Sequence, residues 1–520
     1  MESDKEHNLS ASSDEILPQN ADTSPRTVHS IKWALAYASL ISTVLFYSLD
    51  GTIVADIQPS ILESLGGIDR LAWIGVAIAL GTTAILPMGK AYGIFNIKYL
   101  FLSCVAGFEA GSAICGAAPN MDAMIIGRVI QGVAGCGCYS GALVYISLTT
   151  SKTEQPVYLS GVVAMWGLGS VLGPVIGGAF AQSAATWRWA FYINLVVAAV
   201  FSPALLFCLP DINPLDMSFG RKVREMDWIG IVVFLGGAAC LTMAITFGGT
   251  TFSFSSAHEI TLWTVSGVLL LAFILTTIYH PLVPSRNRLY PIHLMKNAEI
   301  AILQFLIFGA CGAMMITLYY TPLIFQFTRG DGPLMAGVRL LPFVCLIVFL
   351  GVLNGVLMPR LGYYMPWYVF GNAAMLVGSA CMMTINASTS VSKIYGYTAL
   401  IGAGTGSYIT AGYAVVQSLI PVKEHNDAVS FMAIGQMMGQ IILLSVAGSL
   451  YQNISARKLS SILPRSYSAS DIQQLTTGRH SPLFETLGGD VQGQVVEQVA
   501  LAIRNTFAVV VAVSGRQKLY

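Results

Sequence analysis

Charged side chains are scarce in this chain. Asp, Glu, Lys and Arg make up only 10% of its 520 residues, against about 25% in an ordinary globular domain. That is too little polar surface for a soluble protein of this length. Acids and bases nearly cancel, at 26 against 27, and no basic cluster or RNA-binding motif stands out, so nucleic acid is not an expected partner. The cysteines (Cys104, Cys115, Cys136, Cys138, Cys208, Cys240, Cys311, Cys345 and Cys381) all lie in apolar stretches. None has C-x-x-C spacing, and no disulfide framework follows. The histidines form no metal-ligand pattern. The phosphate loop G-x-x-x-x-G-K-[ST] of ATP-driven pumps is absent. No cofactor is implied. Residues 1–30 are polar and lack an apolar run, so no cleavable signal peptide is expected. They read as a disordered cytosolic tail, with the first span as anchor.

What is present is apolar sequence. Hydrophobic residues make up 55% of the chain, and a crossing needs about 20 in a row. Segments of that kind begin near Ile31, Leu71, Ile97, Met121, Val157, Trp189, Asp227, Ile260, Glu299, Met335, Met365, Lys393 and Asp427. The fold class is therefore an all-α polytopic membrane protein. A weak further candidate covers Val495 to Ser514. Its strongly apolar part, Thr506 to Val513, would rise only about 12 Å against about 30 Å of hydrocarbon. Reaching full length means including Glu497 and Arg504, so a short, truncated last helix is expected.

Lysine and arginine collect at alternate span ends: Lys32, Lys90, Lys98, Lys152, Arg221, Lys222, Arg224, Arg286, Arg288, Lys296, Arg360 and Lys423. The short opposite loops hold only Arg70, Arg188, Arg329 and Lys393. By the positive-inside rule the N-terminus is cytosolic. Three blocks follow: an N-terminal six-span half, 31–210; a charged loop, two linker spans and a basic loop, 211–298; and a C-terminal half, 299–520, with a long outer loop at about 451–494. Asn386 and Asn453 begin N-x-S sequons and are candidate glycosylation sites.

A few polar residues interrupt the apolar runs, and an ionisable group at membrane depth is read first as functional. Asp50 closes the first span in Leu49-Asp-Gly-Thr-Ile-Val-Ala-Asp56. It is either a proton carrier or a cap at the outer interface, and Asp56 fits the second role better. Glu109 is the one acid well inside the third span. It is a second proton-carrier candidate, or else a structural hydrogen-bonding group. Arg128 opens Arg128-Val-Ile-Gln-Gly in the fourth. A guanidinium there needs partners, and Asp50, Glu109 and Gln131 are available. An acid beside a fixed cation can act as a proton switch; a static clamp is the alternative. In the fifth span Gly169, Gly173 and Gly177 recur every fourth residue, with Pro174 and Gly178 beside them. That bare stripe lets a second helix approach closely. Trp73, Gln131, Trp166, Tyr319, Phe325, Gln326, Tyr408 and Tyr413 are candidates to line a cavity for bulky, poorly soluble ligands. Pro322 is placed to kink its helix. Arg339, nearer the outer face, fits snorkelling better than an anion site.

These strings occur together in matching spans. Gly169-x-x-x-Gly-Pro-x-x-Gly-Gly178 resembles the fifth-span antiporter motif of the major facilitator superfamily. Leu49-Asp-Gly-Thr, Arg128-x-x-Gln-Gly and Trp187-Arg-Trp-x-Phe-x-Ile-Asn194 are similar to motifs of its fourteen-span drug:proton antiporters, especially fungal toxin and metabolite pumps. The second-to-third loop, Gly89-Lys-Ala-Tyr-Gly-Ile-Phe-Asn-Ile-Lys98, departs from the family pattern. Gly93 stands where an Asp is usual, which leaves the carboxylate latch of that loop without its acid. The resemblance implies two six-helix halves plus two linker helices. It also implies proton-coupled efflux of small amphipathic compounds at the plasma membrane or, alternatively, the vacuole. Expected partners are a small molecule, protons and lipid, with no obligate protein partner. An importer of iron chelates or amino acids, and a transporter-shaped sensor, are the alternative readings.

Overall fold

The computed structural model describes residues 31–517, apart from 67–69, 152–153, 182, 249–251, 280–287, 422–423 and several positions between 465 and 481. The tail 1–30, Lys152, Arg286, Lys423 and the Asp56 side chain lie outside the described part. The first half comprises α1 (Ile31–Leu65), α2 (Leu71–Thr82), α3 (Ile85–Tyr92), α4 (Ile97–Ala117), α5 (Met121–Thr149), α6 (Gln155–Ala181) and α7 (Trp189–Cys208). A short α8 (Phe219–Arg224) leads to α9 (Trp228–Phe247) and α10 (Ala257–Tyr279). After α11 (Ile292–Met295) come α12 (Ala298–Arg329), α13 (Pro333–Val338), α14 (Leu341–Leu361), α15 (Met365–Met382), α16 (Val391–Gly406), α17 (Ala411–Ser418) and α18 (His425–Ile462). The described chain closes with α19 (Pro482–Glu485) and α20 (Gly489–Gln517).

Among the described residues, thirteen spans are long and apolar enough to cross a membrane, with α2–α3, α13–α14 and α16–α17 each acting as one. The 18-residue α15 adds a fourteenth; it rises about 27 Å, and it carries the buried polar residues Asn372 and Ser379. Two of the internal breaks have a proline cause. Pro87 cannot donate to the carbonyl of Thr83, and the helix interrupts at Thr83–Ala84. Pro342 does the same beyond Arg339–Leu340. Pro322, by contrast, lies inside an unbroken α12.

The last helix corrects the expectation of a truncated span. It is 29 residues long, a rise of about 43 Å. Val499, Ile503, Phe507 and Val510 form a buried stripe on one face, and Gln517 donates to the carbonyl of Phe305 on α12 at 3.0 Å. Glu497 accepts from the Ala387 amide in the α15–α16 loop at 3.2 Å. A segment judged by its apolar run alone looks too short because tertiary partners satisfy its polar residues. The loop before it is also shorter than expected, since α18 continues to Ile462.

Helices α9 and α10 pair with each other, Phe234 against Phe273 at 5.1 Å between ring centroids. Asp227 joins α9 to the basic loop, accepting from Gly230 at 2.8 Å and Leu289 at 3.1 Å. α10 is mostly exposed along its length, as expected of a helix bathed in lipid.

Candidate functional site

Asp50 sits midway along α1 and is fully buried, as is Arg128 on α5. The Arg128 guanidinium donates to Asp50 Oδ2 at 2.5 Å. Gln131, one turn after Arg128, donates to Asp50 Oδ1 at 3.0 Å and accepts from Arg128 at 3.2 Å. It also donates to Ser112 Oγ of α4 at 2.9 Å. Asn194 of α7 donates to the same Ser112 oxygen at 3.1 Å. The Arg128 guanidinium lies 5.9 Å from the Phe191 ring centre. Four helices thus meet at one ion pair. Each contributes a polar residue because the bundle offers no water to satisfy a charge. Arg128 Nε has no hydrogen-bond partner among the described residues, so the cation is held but not saturated.

Glu109 does not join this pair, contrary to the expectation from its depth. No hydrogen bond or ion pair links it to Arg128 among the described residues. It lies less than one turn before Ser112 on α4 and lines a separate crevice between α1, α4 and α7. Asn194, the last residue of the Trp187–Asn194 string, is a functional candidate that the sequence reading did not single out. A buried amide in an apolar span was the available signal.

The glycine stripe of α6 faces α1. A Cβ at Gly169 would lie 2.5 Å from the Leu45 carbonyl oxygen, and one at Gly177 would lie 2.8 Å from that of Ile53. At Gly173 it would clash with Thr52 Oγ1 and lie 3.0 Å from the Leu49 carbonyl oxygen. Gly178 faces open space, and the helix is continuous through Pro174. The backbones are tied as well as close. Ser48 donates to the Trp166 carbonyl at 2.6 Å and lies 2.8 Å from Ser170 Oγ. Asp50 is therefore carried on a helix locked to α6.

The proposed cavity residues separate into two groups. Trp166 packs edge-on to Tyr47 at 5.4 Å and Tyr139 at 5.3 Å. Tyr139 accepts from Gln436 at 2.5 Å, and Gln436 accepts from Tyr413 at 2.6 Å. This chain of side chains runs from α1 through α6 and α5 to α18 and α17, so it joins the two halves. Tyr139 and Gln436 were not legible as site residues, because their pairing spans 297 positions. Tyr408 is buried against Tyr368 at 4.8 Å. The other candidates fall outside this line. Trp73 packs on Phe247 of α9 at 4.8 Å. Tyr319 is 54% exposed. Phe325 is buried under Arg339, 4.7 Å from its guanidinium, and Gln326 is half-buried one position later. Arg339 does not snorkel; it chelates Asp331 and donates to Tyr395 at 3.1 Å.

The sequence profile of the Major Facilitator Superfamily matches residues 39–397. The chain belongs to this superfamily. It is 48% identical over 496 residues to the efflux pump DEP3 of Fusarium langsethiae, covering 95% of this chain and 90% of that one. It is 40% identical to the efflux pump patC of Aspergillus clavatus over 94% of this chain and 89% of that one. It is 37% identical to the phomenoic acid biosynthesis cluster MFS-type transporter of Leptosphaeria maculans over 98% of this chain and 84% of that one. Among solved structures, a bacterial homolog of the human lysosomal transporter Spinster, inward-facing and occupied, superposes with a TM-score of 0.56 at 14% identity, covering 94% and 97% of the two chains. The human organic anion transporter MFSD10 (TETRAN) gives 0.56 at 13%, covering 93% and 100%. The chain is thus a multi-pass membrane transporter, not an enzyme.

The superfamily's loop motif, lacking its acid at Gly93, has a counterpart with the charges exchanged. Lys90 of α3 lies 3.7 Å from Asp427 in the first turn of α18. Ser430 donates to the Gly89 carbonyl at 3.1 Å beside it. The carboxylate sits on the C-terminal half, where it also favours the N-terminus of its own helix. Reversing either charge, Lys90→Asp or Asp427→Lys, is expected to slow transport about fivefold, the scale of a partly exposed ion pair. It should also speed maleimide labelling of a cysteine placed at Ser430. The double exchange should restore both.

The sequons differ in context. Asn386 is exposed in the α15–α16 loop, where its Oδ1 accepts from Ser388 and Thr389. Asn453 lies within α18, and its Nδ2 donates to Ser449 at 2.8 Å and to Gly248 at 3.4 Å. That nitrogen is the one a glycan would need, so Asn453 fits a helix-joining role.

Proposed function

We propose that this transporter exports small amphipathic metabolites in exchange for protons, with Asp50 carrying the proton and Arg128 setting its affinity. The observation that carries the reading is the fully buried Asp50–Arg128 pair on helices from one half. It stands in a chain whose relatives are efflux pumps. An ion pair removed from water is costly unless geometry and extra hydrogen bonds repay it; here Gln131 supplies one on each side. Protonation of Asp50 would cancel the attraction and free α1 and α5 to part. Release of the proton would draw them back together. The locked α1–α6 pair would transmit that movement to α14, which packs along α6. The bridge from Tyr139 through Gln436 to Tyr413 would break and re-form as the halves rock about the substrate. The N-terminus is cytosolic in this scheme, on the Lys90 side. The plasma membrane is the site that fits export, and Asn386 is the external loop position open to glycosylation.

The test uses inverted plasma-membrane vesicles carrying the whole protein, with an imposed pH gradient and phomenoic acid and Nile red as probes. Accumulation only when the lumen is acidic is expected. Accumulation only when the lumen is alkaline would reverse the direction to import. Accumulation indifferent to the gradient would remove the proton from the mechanism.

A further inference from the structure

Four hydrogen bonds fix the way the Gln131 amide faces. Its Oε1 accepts from Arg128 at 3.2 Å and from the Cys115 thiol at 3.3 Å. Its Nε2 donates to Asp50 at 3.0 Å and to Ser112 Oγ at 2.9 Å. The oxygen thus meets the cation and the nitrogen meets the anion. The next link matches less well. Ser112 Oγ receives Gln131 and also Asn194 Nδ2, at 3.1 Å. Both its lone pairs are taken, and its own proton has no acceptor among the described residues. Asn194 Oδ1, at the other end of the same amide, has no donor among them. Both residues are buried, where each orphaned group costs free energy. Turning the Asn194 amide over would pair the Ser112 proton with Oδ1 and leave Nδ2 free instead. Neither orientation satisfies every group, so neither is locked. An amide keeps its shape when its ends exchange, and a hydroxyl both donates and accepts. Asp50, Gln131, Ser112 and Asn194 therefore form a chain with two possible directions.

We propose that Ser112 and Asn194 are positioning residues that let the Gln131 amide turn over when Asp50 takes up a proton. The inference rests on the reading above that Asp50 carries the proton. With Asp50 ionised, Gln131 donates to it and to Ser112, and the Ser112 proton is available to Asn194 Oδ1. A proton taken up on Asp50 Oδ1 forms an O–H bond there, removes the negative charge and turns that oxygen into a donor. It then faces the Gln131 N–H, donor against donor. Turning the amide over puts Oε1 in that place, to accept from Asp50 and from Ser112, while Asn194 Nδ2 donates to Ser112 from behind. The same turn sets the Gln131 N–H against the Arg128 guanidinium. Arg128 thus loses a hydrogen bond in the step that removes its counter-charge. Ser112 is the pivot, because it accepts from Gln131 in one direction and donates to it in the other. The titratable groups within electrostatic reach of Asp50 are Arg128 on α5, Cys115 and Glu109 on α4, and Tyr47 on α1. The first two touch Gln131.

The experiment is infrared difference spectroscopy, acidic minus alkaline, on the full-length protein in nanodiscs. The side-chain carbonyl of glutamine, or of asparagine, carries an isotope label. A carboxyl band that is missing from Asp50→Asn reports protonation of Asp50; a band from Glu109 stays in that variant. The labelled glutamine and asparagine bands are expected to change together with the Asp50 band and to hold still in Asp50→Asn. Gln131→Met should remove the first change and Asn194→Leu the second. Ser112→Ala should slow gradient-driven transport about fivefold, the scale of one hydrogen bond, with the substrate KM unchanged. Ser112→Cys, which keeps a weak donor and acceptor in the same space, should restore part of the rate. An Asp50 carboxyl band with amide bands that do not move would overturn the proposal and leave the proton carrier in place. Wild-type transport by Ser112→Ala would overturn it as well. If no carboxyl band belongs to Asp50, the carrier reading falls, and the switch falls with it.

Discussion

Asp50→Asn and Arg128→Ala are each expected to bring gradient-driven transport to background while a reduced amount of the protein still reaches the membrane. Both groups are fully buried and 2.5 Å apart. Removing one leaves the other uncompensated, a change that costs about 3–5 kcal/mol in buried pairs. A structural clamp predicts the same loss of activity, so single variants do not separate the two roles. The paired variant Asp50→Asn/Arg128→Gln does. It removes both charges together and retains hydrogen-bonding groups on both helices. If the pair is only a clamp, this variant should recover transport along with its abundance. If Asp50 carries the proton, abundance should return and gradient-driven accumulation should not. Quantifying protein in the membrane beside initial rates in inverted vesicles gives both readouts. Transport by the double variant at the wild-type rate would end the coupling role of the pair.

Gly173→Leu is expected to be as damaging, for a steric reason. The added Cβ would lie within 3.0 Å of the Leu49 carbonyl and closer still to Thr52 Oγ1. The backbone of α1 would have to retreat at the turn that carries Asp50. Overpacking of this kind typically costs about 1–3 kcal/mol. Here it also breaks the Ser48 hydrogen bonds to α6. Gly178→Leu is the control, since a Cβ there meets nothing within 4 Å. Initial transport rates should fall to background in the first variant and stay near wild type in the second. Equal rates in the two would mean that the α1–α6 contact loosens without consequence for transport.

Some of this was legible in the residues themselves. The first thirteen span starts read from hydropathy lie within three residues of the observed helices. Hydropathy is a local property, and lipid allows few alternatives to a helix. The glycine stripe was legible because its period matches the helix. Asp50, Arg128 and Gln131 were legible as partners because charge at membrane depth demands one.

Other features depended on which face of which helix meets which neighbour. Glu109 and Ser112 are three positions apart on α4, yet only Ser112 is hydrogen-bonded into the network around the ion pair, through Gln131, while Glu109 lines the crevice against α1 and α7. Trp73 and Trp166 look alike in sequence, but one packs on linker helix α9 and the other stands in the line joining the halves. The exchanged latch required knowing that α18 begins beside α3. The last helix seemed truncated because Glu497 was counted against it, although the Ala387 amide satisfies it. Composition and period set where the chain crosses and which groups need partners. The angular phase and crossing of the packed helices decide which partner each one receives, and no local window of sequence contains that information.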